Sequence, residues 1–168
     1  MTAFPWLNTT ELEAKKPYSL LKEVSNSERV IDERVTHIVK DILKEHTRRG
    51  STGRKTSILK RSDIAGKTGT TNDAKSTWFS GFQDDLVTTV WVGTDDFTSL
   101  GDDEYGSSIA LPIWVDFMSL ALENLPESEV KIPSGISYVR VNKLTGEIAN
   151  SSDINTYFEL FLSENIPN

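Results

Sequence analysis

Gly66-Lys67-Thr68-Gly69-Thr70-Thr71-Asn72 constrains this chain more than any other stretch. A Gly-Lys-Thr run belongs either to a phosphate-binding loop or to an extended strand that offers a lysine, a threonine and a glycine to a ligand. The phosphate loop requires a glycine five residues before Gly66, and Arg61 stands there. It also requires a helix directly after the lysine and threonine, whose free N–H groups hold the phosphates. Gly69-Thr70-Thr71-Asn72 follows instead, placing a glycine and two β-branched residues where that helix would begin. The segment before the lysine, Arg61-Ser62-Asp63-Ile64-Ala65-Gly66, is short and polar rather than a buried apolar strand. The phosphate-loop reading fails on all three counts.

An extended strand fits better. Residues 63–71 can run extended, with a polar turn at Asn72-Asp73-Ala74-Lys75 and a second strand at Trp78-Phe79-Ser80-Gly81-Phe82. After Gln83-Asp84-Asp85, a third strand is predicted over Leu86-Val87-Thr88-Thr89-Val90-Trp91-Val92. Both later runs are rich in aromatic and β-branched residues and bounded by turn formers. The period of two puts Asp63, Ala65, Lys67, Gly69 and Thr71 on one face, with Thr68 and Thr70 on the other. A glycine within a strand weakens it and marks a place where a ligand or another backbone comes close. The pattern reads as an edge strand open to a ligand.

The residues 61–72, followed by Trp78-Phe79-Ser80-Gly81-Phe82 and Val90-Trp91-Val92-Gly93-Thr94-Asp95-Asp96, resemble the transpeptidase domain of class A (bifunctional) penicillin-binding proteins, most nearly the 1A type. Lys-Thr-Gly is a signature of that superfamily. Its order and spacing relative to the two tryptophan strands make the resemblance specific. It extends through Leu111-Pro112-Ile113-Trp114, Phe117-Met118 and Ile132-Pro133-Ser134-Gly135-Ile136, over roughly residues 30–150.

The resemblance implies a serine enzyme that attacks the D-Ala-D-Ala end of a peptidoglycan stem peptide and passes the acyl group to an amine on a neighbouring stem. β-Lactams trap the same serine. By that likeness Lys67 and Thr70 are the candidate catalytic residues, and Thr68, Gly69, Thr70 and Thr71 the candidate substrate-binding ones. Lys67 would hold a positive charge in the cleft and steer the substrate carboxylate, while the hydroxyls of Thr68 and Thr70 bind that carboxylate. Gly69 would let the substrate backbone lie against the strand. The N–H of Thr70 would supply half of an oxyanion hole, a contribution of about 3–4 kcal/mol to transition-state stabilisation. The likeness implies neither cofactor nor metal. It also implies a location on the periplasmic face of the inner membrane.

The sequence departs from the family at the nucleophile, a Ser-x-x-Lys serine that lies far upstream with a Ser-x-Asn motif in between. Ser19-Leu20-Leu21-Lys22 and Ser57-Ile58-Leu59-Lys60 match the letters but stand too near Lys67. The Ser163-Glu164-Asn165 tripeptide comes after the lysine, in the wrong order and in what reads as a tail. The expectation is therefore the C-terminal part of a transpeptidase domain, without its nucleophile, whose partner is the missing N-terminal half. The alternative is a non-catalytic muropeptide-binding or interaction module.

Three segments are expected: a poorly defined stretch over 1–30, the transpeptidase part over 31–125, and a C-terminal extension with a small hairpin and tail over 126–168. The fold class is α/β (α+β), an antiparallel sheet with helices packed on it. One helix is predicted over 31–45, where Ile31, Val35, Ile38, Val39, Ile42 and Leu43 recur at helical spacing. A second runs over 109–125 with Ile109, Ile113, Trp114, Phe117, Leu120 and Ala121 inward and Pro112 in its first turn. Trp78, Trp91 and Trp114 read as core. Tyr138–Asn142 and Glu147–Ala149 suggest a hairpin around Thr145-Gly146. A net charge of −7 without a broad basic patch argues against nucleic acid, and the absence of cysteine excludes thiolate chemistry. No apolar run reaches membrane-spanning length, and the first residues lack the pattern of a signal peptide. His37 and His46 have no partner at ligand spacing and read as surface or packing residues. Asp95, Asp96, Asp102, Asp103 and Glu104 read as a solvated acidic loop.

Overall fold

The computed structural model describes residues 29–48 and 50–167. The chain divides into two units, Met1–Asp32 and Glu33–Asn168, and the second contains all the secondary structure described. The Ser19-Leu20-Leu21-Lys22 tetrapeptide and nearly all of the 1–30 segment lie outside the described residues.

Helix α1 spans Glu33–Thr47, with Glu33 in its first turn and Lys44 and His46 in its last. That arrangement places charges of favourable sign at both ends of the helix dipole. A 3₁₀ helix over Arg54–Leu59 leads to strand β1, Ala65–Thr70. Strands β2, Ser76–Gln83, and β3, Leu86–Gly93, complete an antiparallel sheet in the order β1-β2-β3. Thr68 lies opposite Phe79, and Phe79 opposite Val90. The turn at Asn72–Ala74 has left-handed backbone at Asp73 and Ala74. Helix α2 spans Ala110–Ala121, and β4, Ile136–Asn142, pairs antiparallel with β5, Thr156–Leu162. The mixed α/β class and the three-strand order follow the sequence expectation.

One core lies between the sheet and α2. It contains Ile64, Phe79, Ala110, Leu111, Trp114, Val115, Met118 and Leu122, with Leu59, Leu86, Val90 and Leu125 packed around it. Phe79 and Trp114 meet edge to face at 4.9 Å. Gly66 and Gly81 stand directly opposite each other across β1 and β2. A Cβ on Gly66 would come within 2.8 Å of the Phe79 ring, and one on Gly81 within 2.7 Å of both aromatic rings. The first glycine of the heptapeptide is therefore required by this aromatic pair.

Several expectations are corrected. In α2 the buried face is Leu111, Trp114, Val115 and Met118, while Ile113, Phe117 and Leu120 are exposed. The helix is apolar nearly all round, so periodicity could not set its phase. Trp78 and Trp91 are 41% and 45% exposed, because they point to the face opposite Phe79 and stand against each other at 6.1 Å, with Trp78 Nε1–H donating to Ser76 Oγ at 3.3 Å. The turn near Thr145-Gly146 exists, but Glu147–Ala149 contributes only an isolated bridge of Ile148 to Val141. The partner of β4 is β5, in a segment read as tail, and Ser163 is held there by Ser137 at 2.8 Å. In α1 the apolar row Val35, Val39 and Ile42 is likewise exposed among the described residues.

Asp63 is a charged residue only 1% exposed. It accepts hydrogen bonds from the Arg61 guanidinium at 2.7 and 2.9 Å, from the Ser128 backbone N–H at 2.9 Å and from Gln83 at 3.1 Å. Arg61 also donates to the carbonyls of Leu125 and Pro126. The start of β1 is thereby tied to the chain leaving α2. Burial raises the Asp63 pKa, but these hydrogen bonds and the Arg61 charge outweigh it and hold the carboxyl at about 2.

A carboxyl depressed below its usual 3.8 stabilises the fold at higher pH and loses that contribution as pH falls from about 4 to about 2. Urea midpoints across that window will decrease, and Asp63→Ala, which strands Arg61, will cost about 3–5 kcal/mol at pH 7. If Asp63→Ala lowers the midpoint no more than an exposed Asp102→Ala control does, the network is not structural. The outer edge of β3 has no strand partner among the described residues, and Val87 on it is exposed. Light scattering should show concentration-dependent self-association of the 168-residue chain, and a clean monomer at high concentration would count against an open edge.

Candidate functional site

Strand β1 faces β2 along one edge and α1 along the other. The direction of its amides follows from two hydrogen bonds. Thr71 N–H donates to the Ser76 carbonyl at the start of β2. Thr68 N–H donates the opposite way, to His46 Nε2 at 3.2 Å on the last turn of α1. Successive strand amides alternate, so Thr70 N–H points outward with Thr68. The outer edge therefore presents one amide held by a histidine and, two residues on, a second directed into the open.

Lys67 is exposed and its ammonium donates to the Thr68 carbonyl at 2.9 Å, which keeps the charge at the same edge. The Thr70 hydroxyl accepts from Gly106 N–H at 3.0 Å. That bond fills a lone pair and leaves the hydroxyl proton free to donate. The Thr68 hydroxyl joins a cluster, 3.2 Å from His46 Nε2 and 3.1 Å from the Thr52 hydroxyl. The Thr71 hydroxyl is committed to the β1–β2 turn, accepting from Ser76 N–H at 2.8 Å. Lys67, Thr68, Gly69 and Thr70 thus line one open edge, and Thr71 closes its end.

Two features escaped the sequence reading. His46, expected to be a surface or packing residue, bonds the strand directly. Its Nε2 is also 3.2 Å from Thr52 Oγ1, and its Nδ1 is 3.1 Å from Ser51 Oγ. Burial first, and then the neighbouring Lys67 charge, lower its pKa from 6.5. A bond across 22 residues between a helix end and a strand leaves no mark in local periodicity. Gly106 is the second feature. Its backbone lies on the strand so closely that a Cβ would come within 2.5 Å of the Trp78 carbonyl oxygen and 2.7 Å of that of Gly69. Gly50, Ser51, Thr52, Arg54, Lys55, Ser107 and Ser108 line an adjoining recess of about 380 Å³.

Of the two Ser-x-x-Lys matches, Ser57-Ile58-Leu59-Lys60 is the described one, and it does not form an α-helical tetrad. Ser57 lies in the 3₁₀ helix, and Lys60 ends that helix with left-handed backbone at φ 52°. Ser57 opens onto a different recess, shared with Lys44, Thr47, Arg48 and Ser62. Ser163-Glu164-Asn165 forms a short 3₁₀ turn after β5. Among the described residues no group of three or more acidic, histidine or cysteine side chains is placed to hold a metal.

No family model matches the chain. It is 46% identical over 145 residues to penicillin-binding protein 1A of Pseudomonas aeruginosa, covering 86% of this chain and 18% of that protein. The protein of the same name from Neisseria lactamica is 48% identical over 111 residues, covering 66% of this chain and 14% of that one. That of Vibrio cholerae is 41% identical over 124 residues, covering 66% and 15%. The structure is similar to the crystal structure of penicillin-binding protein 1A from Haemophilus influenzae, with a TM-score of 0.76 and 33% identity over 84% of this chain and 22% of that one. The chain spans less than a fifth of the length of the curated relatives named here.

The seat of Gly106 is directly testable. Gly106→Ala forces a methyl group against two backbone carbonyls and should destabilise by about 1–3 kcal/mol in urea unfolding. It should also shift the Thr70 and Gly69 amide resonances. Unchanged stability and spectra would show that the 105–108 segment does not rest on β1.

Proposed function

We propose, from the premise that this chain is over most of its length a homologue of penicillin-binding protein 1A, that it supplies the Lys-Thr-Gly wall of a D,D-transpeptidase site. The homology marks it as a penicillin-binding transpeptidase region. The observation that carries the finer reading is the outward Thr70 amide, flanked by the Lys67 ammonium and a Thr70 hydroxyl whose proton is free. In this reading a serine outside this wall attacks the carbonyl of the penultimate D-alanine. Thr70 N–H stabilises the oxyanion of the tetrahedral intermediate, and terminal D-alanine leaves. The acyl group then passes from the serine to the amine of a second stem peptide. Lys67 attracts the terminal carboxylate, a task suited to an ammonium with three rotating donors. The hydroxyls of Thr70 and Thr68 bind it, Gly69 keeps the edge free of side chain, and Thr71 fixes the strand end. β-Lactams occupy the same edge.

The rest of the domain is then the partner that brings the nucleophile, and the site works on the periplasmic face of the inner membrane. Ser57 is not that nucleophile, because its 3₁₀ turn ends at a left-handed Lys60 and opens away from Lys67. A non-catalytic muropeptide-binding module is the second reading. It is favoured only by the completeness of the edge without any serine.

Incubation with a fluorescent penicillin, followed by a denaturing gel and intact mass, should give no covalent label. Label mapped to Ser57 would overturn the assignment of the nucleophile. Titration with an N-acylated D-Ala-D-Ala peptide separates the two readings. Lys67→Ala should weaken any binding by at least tenfold, and saturable tight binding by the 168 residues alone would favour the module.

A further inference from the structure

We propose that His46 is a positioning residue for the β1 edge: its neutral imidazole holds the Thr68 amide, and its protonation releases that amide to the open side of the strand. The geometry fixes the tautomer. Thr68 N–H is a donor with no alternative proton state, so Nε2, 3.2 Å away, must be the acceptor. Nδ1 then carries the proton and donates to Ser51 Oγ at 3.1 Å. Ser51 in turn fixes the ring plane from the loop that follows α1. This arrangement exists only for the neutral ring. In imidazolium both nitrogens are donors, so Nε2–H faces Thr68 N–H and the bond is lost.

The surroundings give the protonated ring somewhere to turn. The hydroxyls of Thr68 and Thr52 both lie 3.2 Å from Nε2 and can accept the new N–H. Protonation therefore exchanges a backbone bond for a hydroxyl bond. It frees the Thr68 amide and engages the Thr68 oxygen in the same event. With His46 neutral, Thr70 offers the one released amide of the pair, so a ligand oxygen has a single register on the edge. With His46 charged, two outward amides two residues apart compete for it. This consequence for ligands rests on the function proposed above, whereas the latch itself does not.

The groups around the ring keep it neutral near pH 7. Burial and the Lys67 charge on β1 lower its pKa from 6.5. Arg54 and Lys55 line the recess shared with Ser51 and Thr52, and Glu104 reaches Ser108 in that recess from the opposite side. On its own helix, Lys44 is buried and Glu45 is paired with Arg48. For a histidine depressed in the folded state, the stability contributed is full above about 6.5. It falls as pH drops from there to the lower folded value.

The test is a nuclear magnetic resonance titration of the intact 168-residue chain from pH 8 to pH 5. The His46 ring signals and the Thr68 amide should move with one common midpoint below 6.5. Thr68 protection against exchange should fall about five- to tenfold through that midpoint, the equivalent of one hydrogen bond. His46→Gln, whose side-chain oxygen can take the place of Nε2, should keep Thr68 protected at every pH and abolish the shared titration. A Thr68 amide that ignores the His46 midpoint overturns the proposal, as does a His46→Gln chain that titrates like the parent. An N-acylated D-Ala-D-Ala peptide added to the same samples reads the functional assignment separately. Failure to shift Thr70 at any pH removes that assignment and leaves the shared titration to decide the latch.

Discussion

A strand at the end of a sheet has no neighbouring strand on its outer side to hold it, and this constraint organises the sheet and the elements packed around it. β1 is fixed at three points instead. At its start, buried Asp63 and Arg61 tie it to the chain leaving α2. In the middle, His46 on α1 takes the outward Thr68 amide. At its end, the backbone and hydroxyl of Thr71 bond Ser76 across the turn. Between the last two clamps lies the Thr70 amide, facing out.

The packing beneath serves the same end. Gly66 and Gly81, opposed across the first strand pair, leave room for Phe79 and Trp114 to meet under the strand. Trp114 then donates to the Thr88 carbonyl at 2.9 Å, fixing α2 to β3. From the segment preceding α2, the Gly106 N–H donates back to the Thr70 hydroxyl. The residues that position the edge are thus drawn from α1, α2 and the 105–108 segment. A rigid support of this kind is what electrostatic stabilisation of a developing charge requires, since donors already in place need not reorganise.

Much of this was legible in the sequence. Aromatic and β-branched runs marked the second and third strands of the sheet, while Arg61 together with Gly69 eliminated the phosphate loop and left the first strand extended. The motif order pointed to the penicillin-binding family, to which the homology agrees. What could not be read has a common physical cause. The phase of α2 was hidden because Ile113, Trp114, Phe117 and Met118 are all apolar, so only contact with Phe79 distinguishes inside from outside. Strand β5 was missed because its pairing with β4 spans a long connection. His46 and Gly106 act on β1 from 22 and 36 residues away, through single polar contacts that no periodicity records.

The central claim is that the outer edge of β1 is divided between a held amide and an open one. Residue-resolved hydrogen exchange at pH 7 on the unliganded chain measures that division directly. Thr68 should exchange slowly and Thr70 close to the rate of an unstructured amide. Equal protection of the two, or a protected Thr70 beside a fast Thr68, would contradict the account.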